Sequence, residues 1–171
     1  MPHNTETAPL DDQEIHTLVT TWTGRLVLFA RQWVNLPDDV VQDVFLKLCE
    51  LQKRPDDVVA WLFREVRSTA INCWKSEQAR IRRENTVALT NPEWFQSSDE
   101  SRLDGETVKE KLQELPQELR EVVIARIWGE LTLEQIATLT DSARTTTRRR
   151  YYEAIELLRK HMGIGSSDGR N

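Results

Sequence analysis

The stretch Leu131–Arg150, which reads LTLEQIATLTDSARTTTRRR, decides how the C-terminal part of this 171-residue chain folds. Thr132 stands at the N-cap position of a short helix, and Gln135 occupies the position of a capping box partner. The polar break at 140–142 separates this helix from a longer one that we predict over about Ala143–His161. A preceding helix after Pro116 completes the pattern. A short helix, a brief turn and a second helix predict a helix-turn-helix.

The second helix of this motif begins with a basic run, Arg144–Arg150, which contains four arginines and no acidic residue. The N-terminal end of such a helix is the end that enters the major groove of DNA. Arginine pairs with guanine or phosphate, and threonine hydrogen-bonds a base or touches a thymine methyl group. We therefore expect contacts to duplex DNA from Arg144, Thr145, Thr147, Arg148 and Arg149. The alternative is a solvated basic helix face that binds nothing.

The N-terminal half shows three further helical patterns, at about Asp11–Trp33, Pro37–Gln52 and Asp57–Arg80. Apolar residues recur at the spacing of one helix face in each of them, and Asp11 or Asp12 is expected to cap the first. Pro37 suits the first turn of a helix, and the two aspartates after it suit the positive end of the helix dipole. Short breaks join the three patterns, so we predict a compact three-helix bundle.

The segment Trp61–Arg83 mixes aromatic and basic side chains, with six basic residues against two acidic ones. Such mixtures hold single-stranded DNA, because cations contact phosphates and rings accept unstacked bases. The alternative is that the aromatic residues belong to the core and the cations are only solvated.

Helical periodicity fails over residues 84–107, a segment that carries six acidic residues and one basic residue. This composition is typical of a flexible linker. We therefore predict an all-α chain: a disordered N-terminus (1–10), a helical domain (11–83), a flexible acidic linker (84–107), a helix-turn-helix domain (108–162) and a disordered tail (163–171).

Several other classes of protein are disfavoured by the sequence. The N-terminus lacks the features of a signal peptide, and no apolar run is long enough to cross a membrane, so we expect a cytoplasmic location. Cys49 and Cys73 are far apart within apolar helical patterns, which predicts buried, reduced thiols. No zinc-binding spacing, phosphate loop or nucleophile motif occurs. We expect no catalytic residue, no metal and no cofactor, and hence a protein that is not an enzyme.

Two parts of the sequence resemble one known family when they are taken together. The segments PDDVVQDVFLKL (37–48) and AWLFREVRSTAIN (60–72) resemble region two of RNA polymerase sigma factors of the extracytoplasmic-function type, in the sigma-70 family. Leu115–Pro116, the segment 131–137 and the residues from Ser142 onward resemble region four of that family. The two matches occur in the family's order with an acidic linker between them.

The resemblance implies a transcription initiation factor with three contact surfaces. Asp39, Gln42, Asp43 and Phe45 would bind the clamp helices of the polymerase β′ subunit, and the core enzyme would also contribute its β flap. The minus-ten promoter element would be melted and captured by Arg64, Arg67, Ser68, Asn72, Trp74 and Lys75. The minus-thirty-five element would be read by Ser142, Arg144, Thr145, Thr147, Arg148, Arg149 and Arg150. Promoter DNA, core polymerase and an anti-sigma factor are the implied partners.

The sequence departs from the family pattern at five positions. Ser68 replaces a common Asn, and Asn72 replaces an Asp. Thr140 and Asp141 replace the usual Gly and apolar residue of the turn, and Thr146 replaces an apolar residue of the last helix. We expect Asp141 to cap that helix. The motif is expected to pack less tightly or in a shifted register.

The net charge of −5 is unusual for a protein that binds DNA unaided. We infer that stable promoter binding requires polymerase, because the free chain neutralises few phosphates. One alternative is a stand-alone helix-turn-helix regulator, which would bind specific duplex DNA without polymerase. Another is a sigma-like interaction module, whose function would survive substitution of Arg148 and Arg149.

Overall fold

The computed structural model describes residues 8–83 and 106–162, and these residues form helices without any strand. Seven helices follow one another in this part of the chain: α1 (Asp12–Ala30), α2 (Pro37–Glu50), α3 (Val58–Arg83), α4 (Glu106–Gln113), α5 (Gln117–Ile127), α6 (Leu133–Leu139) and α7 (Arg144–His161). The predicted all-α class is confirmed. Most of the predicted linker and of the two predicted disordered ends lies outside the described residues. No helix among these residues is long and apolar enough to cross a membrane.

The chain divides into two compact units, Met1–Gln96 and Ser97–Asn171. In the first unit, α1, α2 and α3 pack against one another in all three pairings. A capping box opens α1: the Asp11 carboxylate accepts from the Glu14 amide (2.8 Å), and Glu14 accepts from the Asp11 amide (3.1 Å). Glu14 also pairs with Arg54 at 2.7 Å, which ties the start of α1 to the loop before α3.

The centre of this bundle is aromatic. The rings of Phe29 and Phe63 lie 5.0 Å apart, and Trp33 meets Phe29 edge-on at 5.3 Å. Trp22 contacts the edge of Phe63 at 6.4 Å. Phe29 and Phe63 are fully buried, so these contacts fix how α1 and α3 cross.

The helix α3 continues beyond the bundle that supports it. Ala70 is its last buried residue, and none of the side chains of residues 71–83 is in the core. The prediction that Cys73 is buried is therefore wrong, because the helix has left the apolar core before that position. Cys49 is also exposed, since it lies next to the buried Leu48 but turns away from the core of the bundle.

The second unit packs α5 and α6 against α7. The helix α5 is its centre, with Val122, Val123, Ile124 and Ala125 fully buried in succession. Four consecutive buried residues require neighbours on every side of a helix, which explains why this segment of the sequence shows no polar face.

Arg120 closes the end of α4. Its guanidinium donates to three backbone oxygens, those of Leu112 (3.0 Å), Gln113 (2.9 Å) and Leu115 (2.8 Å). Two of these carbonyls belong to the last turn of α4 and the third follows it, at a helix end where backbone oxygens have few intrahelical partners. Burial lowers the pKa of Arg120, but an arginine stays charged at physiological pH.

Glu114 links this corner to the end of α7. It accepts from Lys111 Nζ at 2.6 Å, and its other oxygen lies 3.0 Å from His161 Nδ1. The hydrogen bond from Lys111 lowers the pKa of the Glu114 carboxyl, with a smaller contribution from His161.

Candidate nucleic-acid interface

A helix-turn-helix is formed by α6, the residues after it, and α7. The predicted capping box is confirmed: the Thr132 hydroxyl accepts from the Gln135 amide (3.2 Å), and the Gln135 side chain accepts from the Thr132 amide (2.7 Å). The Ser142 amide donates to the carbonyl of Ala137 at 2.9 Å, which closes the turn. These hydrogen bonds fix the orientation of α7 relative to α6.

The exposed side of α7 is basic at its N-terminal end. Arg144, Thr145, Arg148 and Arg149 are all exposed, and the first turn contains no acidic residue. Side chains at these spacings lie on one face of a helix. They form a surface of arginines and one hydroxyl, which we call the α7 basic face. Arg144 also lies 3.5 Å from the exposed Glu134 of α6.

Tyr152 extends the α7 basic face by one turn. Its ring is exposed, and the guanidinium carbon of Arg148 lies 5.7 Å from the ring centre. The apolar pattern of the sequence assigns Tyr151 to the buried side and does not single out its neighbour, so sequence reasoning misses Tyr152. The spacing of four from Arg148 is the signal that could find it.

Thr147 does not belong to this face. It is fully buried, and its hydroxyl donates to the Ala143 carbonyl at 3.3 Å. The prediction that Thr147 contacts DNA is therefore wrong. The reason is geometric: Thr147 lies on the side of α7 that packs against α5 and α6, one turn after the N-cap residue Ala143.

Arg150 is engaged inside the unit. Its guanidinium donates to Glu118 Oε2 on α5 at 2.6 Å and to the Ser142 hydroxyl at 3.1 Å. Only 22% of the Arg150 side chain is exposed. The sequence predicts DNA contacts for Arg150 and Ser142, but here they join α7, the turn and α5 to one another.

A second polar surface lies on α3. Arg64, Ser68, Asn72 and Lys75 are exposed and follow each other at spacings of three and four residues. They therefore share one face, which we call the α3 stripe. Arg67 and Trp74 lie on a neighbouring face, where the indole is 41% exposed. The predicted minus-ten set is thus divided between two adjacent faces of one helix.

A third surface lies on α2. Asp39, Gln42 and Asp43 are exposed, in agreement with the predicted polar face. Phe45 is only 8% exposed and packs in the bundle, so its assignment to this face is wrong. Leu46 lies on this polar face instead, with 56% of its surface exposed. It follows Phe45 by one residue and therefore points about one-quarter turn away from it around the helix axis.

In the part of the chain that the structure describes, no group of His, Cys, Asp or Glu side chains could hold a metal ion. The family model for sigma-70, region 4, matches residues 105–158, which span α4 to α6 and most of α7. The chain carries a sigma-70 region 4 domain.

Sequence similarity extends well beyond that domain. The chain is 27% identical over 125 residues to the RNA polymerase sigma factor SigV of Bacillus subtilis (strain 168), covering 71% of this chain and 72% of that protein. An alignment of this length necessarily includes residues of both units.

Two solved structures share the fold. The sigma factor RpoE, in complex with the anti-sigma factor NepR from Bartonella quintana, superposes with a TM-score of 0.63 at 19% identity, covering 89% of this chain and 98% of RpoE. CnrH, in complex with the cytosolic domain of CnrY, gives a TM-score of 0.55 at 20% identity and covers 91% and 92% of the two chains. The resemblance to sigma factors of the extracytoplasmic-function type is confirmed.

Within the turn of the region 4 domain, Asp141 has a left-handed backbone (φ 49°), a conformation that costs most residues steric strain. At the start of α7, Thr147 is buried and Thr146 is half-buried. The expectation of looser packing or a shifted register stays a prediction. The expected capping by Asp141 is wrong, because Ala143 is the N-cap of α7 and has no side-chain cap.

Proposed function

We propose that this protein is a sigma factor that binds core RNA polymerase, directs it to promoters and assists strand opening. The observation that carries the proposal is the α7 basic face on a sigma-70 region 4 domain. It combines a motif that enters the major groove with an arginine surface free of acidic residues in its first turn.

The minus-thirty-five element would be read by the α7 basic face. Arg144, Arg148 and Arg149 suit guanine edges and phosphates, and Thr145 suits a thymine methyl or a phosphate. Tyr152, one turn farther along, would contact the sugar-phosphate backbone through its hydroxyl. Arg150 and Ser142 would act indirectly, by holding α7 against α5.

The minus-ten element would be captured by the α3 stripe. Arg64 and Lys75 would neutralise phosphates, while Ser68 and Asn72 would hydrogen-bond an unstacked base. Trp74, on the neighbouring face of α3, would add an exposed ring for stacking, which contributes about 1–3 kcal/mol per base. Extruding a base costs a few kcal/mol, so such contacts would offset part of the cost of strand opening.

Core polymerase would be bound by the exposed surface of α2. Asp39, Gln42 and Asp43 share one face of α2 with the exposed Leu46, so this surface combines polar groups with one apolar side chain. Its partner would be the β′ clamp helices, and the region 4 domain would contact the β flap. RpoE was solved with an anti-sigma factor, and by analogy we infer that an anti-sigma partner controls this protein.

Promoter binding would depend on polymerase. The net charge of −5 opposes binding of the free chain to DNA. In the holoenzyme the two units would contact two promoter elements at once, and effective concentration would turn two weak contacts into one strong one.

The test is transcription in vitro with core polymerase on a library of genomic fragments. We expect specific transcripts that start downstream of a shared sequence pair. Replacing Arg148 and Arg149 with Ala should abolish them, whereas Arg159→Ala, at the far end of α7, should not. Absence of any promoter-specific transcript would refute the proposal. Tight specific binding to duplex DNA without polymerase would favour the stand-alone regulator instead.

A further inference from the structure

A histidine and a carboxylate meet where α4 and α7 end. His161 is the last residue of α7, and Glu114 directly follows α4. His161 Nδ1 lies 3.0 Å from Glu114 Oε2. This nitrogen is shielded from solvent, and among the described residues it makes no well-aligned hydrogen bond. A buried nitrogen so close to a carboxylate is more stable when it carries a proton that it can donate.

Glu114 is able to accept that proton's hydrogen bond throughout the neutral pH range. Lys111 Nζ donates to its other oxygen, Oε1, at 2.6 Å. This hydrogen bond lowers the pKa of the Glu114 carboxyl, so the group remains ionised well below neutrality. Oε2 is the oxygen that faces His161. The imidazole is therefore next to a fixed negative charge.

The position of His161 in its helix acts in the same direction. The C-terminal end of a helix carries a partial negative charge from its last carbonyl groups, and a cation in the last turn is stabilised by it. His161 occupies that turn of α7. The helix end and Glu114 thus both favour the protonated imidazole.

The basic groups at this corner are bonded to other partners. Lys111 is bound to the far oxygen of Glu114. Arg120 of α5 donates to three backbone oxygens around the end of α4. Lys160 pairs with Glu156 on α7 at 3.1 Å, and Arg159 is exposed.

The acidic groups that the neighbouring helices bring to α7 are also accounted for. Glu118 of α5 is bound to Arg150, and Glu134 of α6 lies beside Arg144, both of them far from the end of α7. The other carboxylate described on α5, Glu121, is buried. Glu114 is the carboxylate paired with His161.

We propose that His161 and Glu114 form a pH-sensitive clasp that is closed by a proton on the imidazole and holds α4 against the end of α7. Histidine changes its charge between about pH 5 and 8. The protonated ring donates a charge-assisted hydrogen bond to Glu114, whereas a neutral ring donates at most an uncharged one. The stability that the clasp contributes is therefore present at acid pH and is lost as the pH rises through the titration of the imidazole.

The clasp lies away from the α7 basic face. His161 follows Arg149 by twelve residues, which is about 18 Å along the helix. A proton at His161 therefore changes how firmly α4 is held and leaves the arginine surface in place. The inference does not rest on the proposed function, because its test requires neither DNA nor polymerase.

The experiment is hydrogen exchange of the full chain at about pH 6 and pH 8, corrected for the intrinsic effect of pH on exchange. The side chains of His161 and Glu114 are 30% and 44% exposed, so the effect is modest. We expect the amides at the end of α4 and in the last turn of α7 to open about fivefold more often at pH 8. Amides of α1, α2 and α3 serve as the internal reference.

Three variants distinguish a proton-dependent clasp from simple packing. His161→Gln should open about fivefold more often at both pH values, at the level of wild type at pH 8. His161→Lys, which stays charged, should remain at the low level at both. Glu114→Gln should reduce the pH effect to that of the helix end alone, about twofold. His16→Gln replaces an exposed histidine of α1 and is the matched control, which should keep the full pH effect.

Two results would overturn the proposal. One is equal corrected exchange at the two pH values in wild-type protein, which would show that no proton closes the clasp. The other is a pH effect that persists in His161→Gln, which would assign the titration to another group. Neither result would bear on promoter recognition.

Discussion

Arg150 provides the sharpest test of how the region 4 domain is built. The sequence predicts that Arg150 contacts DNA. In the structure its guanidinium instead bonds Glu118 of α5 and Ser142 of the turn, and so holds α7 against both. We therefore predict that Arg150→Ala weakens the domain and leaves the electrostatic component of DNA binding unchanged.

The magnitude follows from its two contacts. Glu118 is 71% exposed on its side chain, so the ion pair contributes only about 0.2–1 kcal/mol. The hydrogen bond to the half-buried Ser142 adds about 0.5–1.5 kcal/mol. Removing both should therefore lower the free energy of unfolding by about 1–2 kcal/mol. In a unit of this size, that lowers the melting temperature by roughly 5–15 °C.

Two measurements test the prediction. Hydrogen exchange should show faster opening of the amides of α7 in Arg150→Ala, and the salt dependence of holoenzyme binding to duplex promoter DNA should equal that of wild type. Arg149→Ala is the matched control: it should leave exchange unchanged and reduce the salt slope by about 0.9. A slope reduced by about 0.9 in Arg150→Ala, with normal exchange, would show that Arg150 contacts a phosphate and would refute the reasoning.

Three further substitutions test other parts of the structure. Arg120→Ala should cost about 3 kcal/mol in urea unfolding, because three carbonyls no longer receive charged hydrogen bonds; Arg120→Lys should recover part of it, and an unchanged midpoint would contradict the capping role. Asp141→Gly should stabilise the second unit by about 0.5–1 kcal/mol, since glycine adopts a left-handed backbone without the steric penalty; a lower stability would count against it. Leu46→Asp should lower affinity for core polymerase about tenfold, the equivalent of one buried leucine, and equal affinity would exclude Leu46 from the interface.

Much of the helix-turn-helix could be predicted because its signals are local. The capping box of Thr132 and Gln135, the polar turn and the arginine run each depend on neighbouring residues. Local signals do not depend on what packs against them, so they survive in the folded chain. For the same reason the sequence correctly indicates an aspartate N-cap for α1, which is Asp11.

The errors arose where tertiary packing decides. Phe45 and Leu46 are adjacent apolar residues, and only the position of α1 and α3 determines which of them is buried. Thr147 is a polar residue in a buried position, which composition does not reveal. Cys73 continues an apolar stripe along α3. Its burial depends on where the bundle ends, and α3 extends beyond the helices that pack against it.

The unsupported end of α3 has a thermodynamic consequence. Isolated helices of fewer than about 12–15 residues are marginal in water, and residues 71–83 have no buried side chain to add stability. Their order rests on local bonds such as Glu77–Arg80 and Arg83 to the Ala79 carbonyl. This segment therefore lies at the low end of the protein's opening free energies. A ligand that binds this segment must also order the helix, and the entropy lost in doing so weakens binding. Substitutions that raise or lower the helix propensity of residues 71–83 would therefore change the affinity for that ligand without removing any contact to it.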